Sequence, residues 1–278
     1  MVYYIKQDEN LRFRKVKIED NICKIVIKAD NDTAKKIVKK IKKNKIEKVV
    51  LSKKIKKNQE IIKELNNYNI TILGGKWLMQ YMIKEIIFYL EEHKKINYSD
   101  EIAILSNNAN NEIKRVINEL LDKYKKVRIV TNNLKTFKKM ENELLDYYGI
   151  PVIVSNNKRK ALSKSSLIIN FDFNQENINE YNINEKAIII NLSEEIKIEK
   201  KRFNGFVICD YEIELDREKL SDIKEKQIEF SLKDILEEKI YSNIEKTKEC
   251  IRFNEVRDII ERYNVHICEL IGRNSSLI

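Results

Sequence analysis

Six short apolar runs order the middle of this 278-residue chain: Ile102–Leu105, Val127–Val130, Val152–Val154, Leu167–Ile169, Ala187–Ile190 and Phe206–Ile208. They begin 25, 25, 15, 20 and 19 residues apart. Each run is too short for a stable helix and, apart from Arg128, wholly apolar, the pattern of a strand covered on both sides. The intervals leave room for a helical return, so the strands are expected to be parallel. Two intervals carry a helical stripe: Ile113, Val116, Ile117, Leu120, Leu121 and Tyr124, then Phe137, Met140, Leu144, Leu145 and Tyr148. Gly149 follows the second stripe where a left-handed C-cap belongs, and Pro151 bars continuation. Parallel crossovers are right-handed almost without exception, which makes a doubly wound sheet the economical topology.

The flanks read differently. Val2–Ile5, Leu11–Ile18 and Cys23–Ile27 are strand-like. Leu11 and Phe13 are out of phase with Val16 and Ile18, which predicts a bulge. A helix over Thr33–Lys43 carries Ile37, Val38 and Ile41 on one side, and a second over Asn58–Tyr68 carries Ile61, Ile62 and Leu65. Strands Val49–Leu51 and Ile70–Leu73 alternate with them, and the last ends in Gly74-Gly75. Trp77–His93 reads as one long helix, apolar nearly all round and therefore buried, as a connector between domains or an oligomer contact. Beyond Asp216 the pattern is helical. Ser231-x-x-Asp234 resembles a capping box, and Asn254 is placed to cap a last helix. The expected fold class is α/β. Residues 1–76 form a small α/β domain, 77–97 a connector helix, 98–216 a doubly wound, mostly parallel domain, and 217–278 a helical tail packing back on the domains.

Composition removes several classes. Five glycines and one proline exclude collagen, Gly/Ser linkers and Pro-rich disorder. The formal net charge is +10, but residues 33–57 alone contain twelve lysines and one acid, Glu47. The rest of the chain is therefore close to neutral. Such a lysine cluster attracts phosphates or acidic partners, with Lys39, Lys40, Lys42 and Lys43 the expected contacts. It holds no arginine and no aromatic residue, so base reading and base stacking are not expected of it, and neither is a membrane partner. Cys23, Cys209, Cys250 and Cys268 form no CxxC pair and read as buried thiols in a reducing cytosol. The first residues lack a basic segment followed by an apolar one, so no secretory signal is expected and the location is expected to be cytoplasmic. His93 and His266 are the only histidines, and His266-x-Cys268 lacks a second half, so no metal is expected.

In an open α/β sheet ligands bind beyond the carboxyl ends of the strands. That rule selects Ser106, Asn107 and Asn108 after the first run, Thr131, Asn132 and Asn133 after the second, Asn156 after the third and Asp172 after the fourth. A dinucleotide fingerprint demands glycines in the first turn, so that the backbone can approach a pyrophosphate. Ser106-Asn107-Asn108-Ala109-Asn110-Asn111 contains none. Thr131-Asn132-Asn133 stands where the ribose-binding acid is expected. Lys135, Lys138 and Lys139 could face a 2′-phosphate, which keeps NADP as the candidate cofactor and a nucleotide-like small molecule as the candidate ligand. Gly74-Gly75-Lys76 is a second candidate anion turn. Walker and G-x-S-x-G sequences do not occur.

The layout resembles the shikimate dehydrogenase-like two-domain Rossmann proteins. Leu167-Ile168-Ile169-Asn170 is similar to that family's fourth-strand IINAT stretch, and Val130-Thr131-Asn132-Asn133 loosely resembles its NRT stretch. The resemblance implies a Rossmann-like fold and shared ancestry. The family's NADP-reading arginine has no match here, nor do its substrate-binding lysine and aspartate motifs. The expected function is a ligand-binding or regulatory/scaffold protein with a degenerate nucleotide site. The alternatives are an NAD(P)-dependent oxidoreductase with an unusual cofactor loop, and a nucleic-acid or acidic-partner binder acting through the lysines.

Overall fold

The computed structural model describes residues 1–8, 16–20, 22–25, 31–97, 101–149, 152–216, 226, 228–244, 249–273 and 276. Leu11, Phe13, Ile27 and Pro151 lie outside them, and with them the predicted bulge. By internal contacts the chain forms two compact units. One comprises Met1–Leu78 with Glu212–His266, the other Met79–Tyr211 with Ile267–Ile278.

The first unit is built on a five-stranded sheet: β1 (Tyr3–Gln7), β2 (Val16–Glu19), β3 (Ile22–Ile25), β4 (Lys48–Leu51) and β5 (Thr71–Leu73), in the order β2-β3-β1-β4-β5. Only β2 is antiparallel to its neighbour. Helix α1 (Asn31–Lys43) and helix α2 (Gln59–Asn67) pack their apolar sides, Ile37, Val38, Ile41, Ile61 and Leu65, into one core with Ile5, Val49 and Leu51. The unit also holds α8 (Leu232–Ile244) and α9 (Glu249–Arg262).

The second unit carries the six-stranded sheet: β6 (Glu101–Leu105), β7 (Val127–Val130), β8 (Ile153–Ser155), β9 (Ser165–Asn170), β10 (Ile188–Asn191) and β11 (Phe206–Ile208). Its order is β11-β10-β9-β6-β7-β8, and every pairing is parallel. Counted from β6, this is the 3-2-1-4-5-6 order of a Rossmann-like sheet, with the switch point between β6 and β9. Residues of alternate parity point to opposite faces. Ala103, Leu105, Val130, Ile168 and Ile189 therefore share one core. Helix α5 (Asn111–Leu121) and helix α6 (Leu134–Tyr148) fill the first two crossovers.

Several expectations change. The Trp77–His93 segment is not one helix. It comprises α3 (Lys76–Met79), a 3-10 turn over Gln80–Met82, and α4 (Ile83–Glu92). The later crossovers are barely helical, with only the five-residue α7 (Gln175–Asn179) between β9 and β10. Ala161, Leu162, Ile183 and Ile196, all from loops, cover that part of the sheet instead. The C-terminal stretch is helical but closes with a strand, β13 (His266–Ile271), which pairs with β12 (Asp210–Glu214). Asn254 lies inside α9 rather than at its start. Cys268 is exposed on β13 while Cys23 is buried, so the thiols are not uniformly sequestered.

Scarce glycine is replaced by other residues at the turns. Asn58, Asn110 and Asn174 cap α2, α5 and α7, each accepting a backbone N–H through its side chain. Two residues beyond the ends of α1, α2, α4 and α9, the left-handed position is held by Lys45, Asn69, Lys94 and Asn264. Among the described helices only α6 ends on glycine, Gly149 at φ +64°, as its position in the sequence predicts.

Candidate functional site

The carboxyl edge of the six-stranded sheet brings most of the selected residues together, and the bonds among them decide what the edge can hold. Asp172 leaves the end of β9, next to β6, at the switch point. Its carboxylate accepts the backbone N–H of Asn107 on both oxygens, at 2.9 and 3.0 Å. It also accepts the Ser106 hydroxyl at 3.0 Å and the Asn108 side-chain amide at 2.9 Å. Ser106 is fully buried, and its hydroxyl accepts the Asn108 N–H at 3.1 Å. The side chain of Asn107 in turn accepts the N–H of Asn132 at 2.8 Å. Tyr181 donates to the side-chain oxygen of Asn132 at 3.3 Å, and Asn133 N–H bonds to the Thr131 hydroxyl at 3.0 Å. Burial, and then Glu180 nearby, raises the Tyr181 phenol above its ordinary pKa. Asn156 stands exposed on the loop after β8, outside this network.

The first βα turn is the anion-binding element of a dinucleotide protein, because its free N–H groups and the helix start converge on the pyrophosphate. In this chain the turn's first donor is spent on Asp172, the next on Ser106, and the Ile113 N–H on the cap oxygen of Asn110 at 2.9 Å. Glu112 adds a second carboxylate in the first turn of α5, where it accepts the Tyr81 hydroxyl at 2.9 Å. A helix start contributes roughly half a positive charge. Two carboxylates, Asp172 and Glu112, stand beside that start.

Two residues that end the fourth and fifth apolar runs, and are not among the candidate ligand contacts, hold the loops of the edge. Asn170 and Asn191 are fully buried and opposite one another in the β9–β10 register. Asn170 donates to Phe173 O and to the Asn191 side chain, both at 2.8 Å, and accepts the Phe173 N–H at 2.9 Å. Asn191 donates to Glu194 O at 2.8 Å. A polar residue ending an otherwise all-aliphatic run was the available signal. Much of the asparagine at this edge therefore shapes loops by bonding the backbone a few residues on.

The Gly74-Gly75 turn of the first unit is also filled from within. Glu237 of α8, 1% exposed, accepts the N–H of Leu78 at 3.1 Å and that of Gly74. Burial, reinforced by Asp234, pushes its carboxyl up to about 7 against the pull of those N–H groups. Asp234 is fully buried and pairs with Lys56 at 2.5 Å. The stem of Lys233 passes over Gly75, and its ammonium reaches Glu212 at 3.1 Å. Sequence reading places Asp234 as a capping residue and does not select Glu237 or Lys233. The helical pattern marks them as surface positions, and only the packing of α8 against β4 and β5 buries them.

Among the described residues, no group of three or more His, Cys, Asp and Glu side chains is placed to hold a metal ion. No described helix is long and apolar enough to cross a membrane.

No family model and no curated protein matches the chain. Among solved structures it is similar to L-tryptophan dehydrogenase from Nostoc punctiforme, at 11% identity and TM-score 0.33, over 87% of this chain and 68% of that one. It is also similar to a putative aspartate carbamoyltransferase from Trypanosoma cruzi, at 9% identity and TM-score 0.28, over 73% and 76% of the two chains. Likenesses this distant carry no argument about fold or activity.

Proposed function

We propose that this protein is a ligand-binding or regulatory/scaffold member of the Rossmann-like architecture, in which an internal carboxylate takes the place of a bound diphosphate. One observation carries the reading: the double acceptance of the Asn107 N–H by Asp172 at the switch point. A dinucleotide would have to displace an anion tethered to the neighbouring strand, and its phosphates would then sit beside Glu112. The ligands that suit the edge are neutral or cationic, met by the exposed amides of Asn108, Asn132, Asn133 and Asn156. The similarity to the shikimate dehydrogenase-like proteins is, on this reading, one of ancestry and layout. The competing reading is an NAD(P)-dependent oxidoreductase with an unusual cofactor loop.

Thermal shift with NAD, NADP, ATP and GTP separates the two. A ligand at 100 times its Kd stabilises the native state by about 2.7 kcal/mol, a shift of a few degrees. The expected result at millimolar nucleotide is no shift in the wild type. Saturable stabilisation of the wild type by NAD or NADP, unaffected by Asp172→Glu, would establish the oxidoreductase reading instead.

A further inference from the structure

The outer side of α1 consists of lysine. Lys35, Lys36, Lys39, Lys40, Lys42 and Lys43 are exposed, while Ala34, Ile37, Val38 and Ile41 are buried in the core. Lys35, Lys39 and Lys43 stand four residues apart, and so do Lys36 and Lys40. That spacing stacks them in rows with about 6 Å between successive charges. Like charges at this spacing repel and weaken the helix that carries them. Among the described residues no carboxylate pairs with Lys35, Lys36, Lys39, Lys42 or Lys43, and Lys40 reaches only Val16 O at 3.2 Å.

Two occupants fit poorly. An amphipathic helix binds a membrane by inserting its apolar face, and that face of α1 is already in the core. A protein interface draws its energy from apolar or aromatic anchors in a dry centre, and the exposed described residues of α1 are lysines without exception. A polyphosphate backbone requires only point charges at intervals.

We propose that this face of α1 binds the phosphate backbone of nucleic acid without reading its sequence. Lysine serves as a point-charge phosphate ligand. Without arginine the face cannot grip guanine through two bonds, and without aromatic residues it cannot stack bases. The surface lies in the first unit and is independent of the Asp172 site.

The test is fluorescence anisotropy of the full chain with labelled 20-nucleotide duplexes and single strands of unrelated sequence, at 50 and 200 mM KCl. Four to six phosphate contacts predict a loss of affinity of roughly 150- to 2000-fold between those salts. Affinities for different sequences should agree within about threefold. Changing Lys39, Lys40, Lys42 and Lys43 to glutamine should reduce the log–log salt slope by about 3.6 on duplex. A charge-matched control, Lys164, Lys186, Lys197 and Lys201 to glutamine in the other unit, should leave the slope unchanged. Should the fourfold variant lose its circular dichroism spectrum, the pair Lys39→Gln and Lys43→Gln asks the same question with a slope change of about 2. The proposal is overturned by absence of binding at 50 mM, by an unchanged slope in the α1 variants, or by equal loss in the control. Tighter binding to polyglutamate or to phosphatidylserine vesicles would also overturn it.

Discussion

The carboxylate of Asp172 and the backbone N–H of Asn107 are joined by two contacts of 2.9 and 3.0 Å, across the switch point of a parallel sheet. Removing that carboxylate strands three donors: Asn107 N–H, Asn108 Nδ2 and the Ser106 hydroxyl. Asp172 is only half-buried, so water re-satisfies part of the loss. Asp172→Ala is expected to destabilise by about 1–3 kcal/mol. Asp172→Asn, which keeps an acceptor, should lose about half as much. Urea denaturation checks both, and equal stability of Asp172→Ala and the wild type would detach Asp172 from the architecture of the turn.

Asn170 is the stricter case, because nothing but protein surrounds it. Asn170→Asp keeps the shape and removes both donors, setting a carboxylate against Phe173 O and the Asn191 side-chain oxygen. A loss of about 3 kcal/mol or more is expected. Asn170→Ala should fall slightly below that. A midpoint within a few tenths molar of the wild type for either variant would contradict the buried network.

Glu237 links stability to pH. Its carboxyl rises from an ordinary 4.5 to about 7 in the fold, so the native state holds its proton more tightly than the unfolded chain. The stabilising contribution is full below about pH 4.5 and is lost as pH rises through about 7. Glu237→Gln keeps an acceptor for the Leu78 and Gly74 N–H groups and carries no titrating proton. Relative to the wild type it should gain about 3 kcal/mol between pH 4.5 and 8. Parallel stability curves across that range would remove the raised pKa.

The two adjacent glycines should respond differently to alanine. A methyl on Gly74 meets nothing within 4 Å, whereas on Gly75, at φ +82°, it comes 2.8 Å from the Lys233 stem. Gly75→Ala is expected to destabilise by about 1–3 kcal/mol through backbone strain and the clash together. Gly74→Ala should fall within about 0.5 kcal/mol of the wild type. Thermal melts of the two variants give the comparison directly.

Left-handed lysines offer the converse test. Lys45 (φ 58°) and Lys94 (φ 54°) follow helix ends where glycine has no side-chain penalty. Lys45→Gly and Lys94→Gly should each stabilise by a few tenths to about 1 kcal/mol, offset by the freedom glycine adds to the unfolded chain. A rise in the denaturation midpoint without a change in slope is the expected signature.

Local pattern alone located most of this architecture. Val127–Val130 and Phe206–Ile208 coincide with β7 and β11 residue for residue. Gly149 caps α6 as its place in the stripe requires. These features depend on the period of apolar residues and on backbone preference, which neighbouring residues determine. The break in Trp77–His93 was not legible, because an apolar segment shows the same composition whether it runs as one helix or turns at Gln80–Met82. Nor was β13 legible: His266–Ile271 has polar and apolar residues at spacings that suit either a helix or a strand until a partner strand is present.

The sequence by itself determined a parallel α/β sheet, a first βα turn without glycine, and a helix whose outer side is lysine. Only the tertiary structure decided what fills the turns. Asp172 lies 65 residues from Asn107, and Glu237 lies 159 residues from Leu78. A carboxylate finds a backbone N–H across such distances only after strand order and helix packing have put their ends together. Hydrophobic period specifies which residues face inward, but it carries no record of which polar atoms meet at the edge.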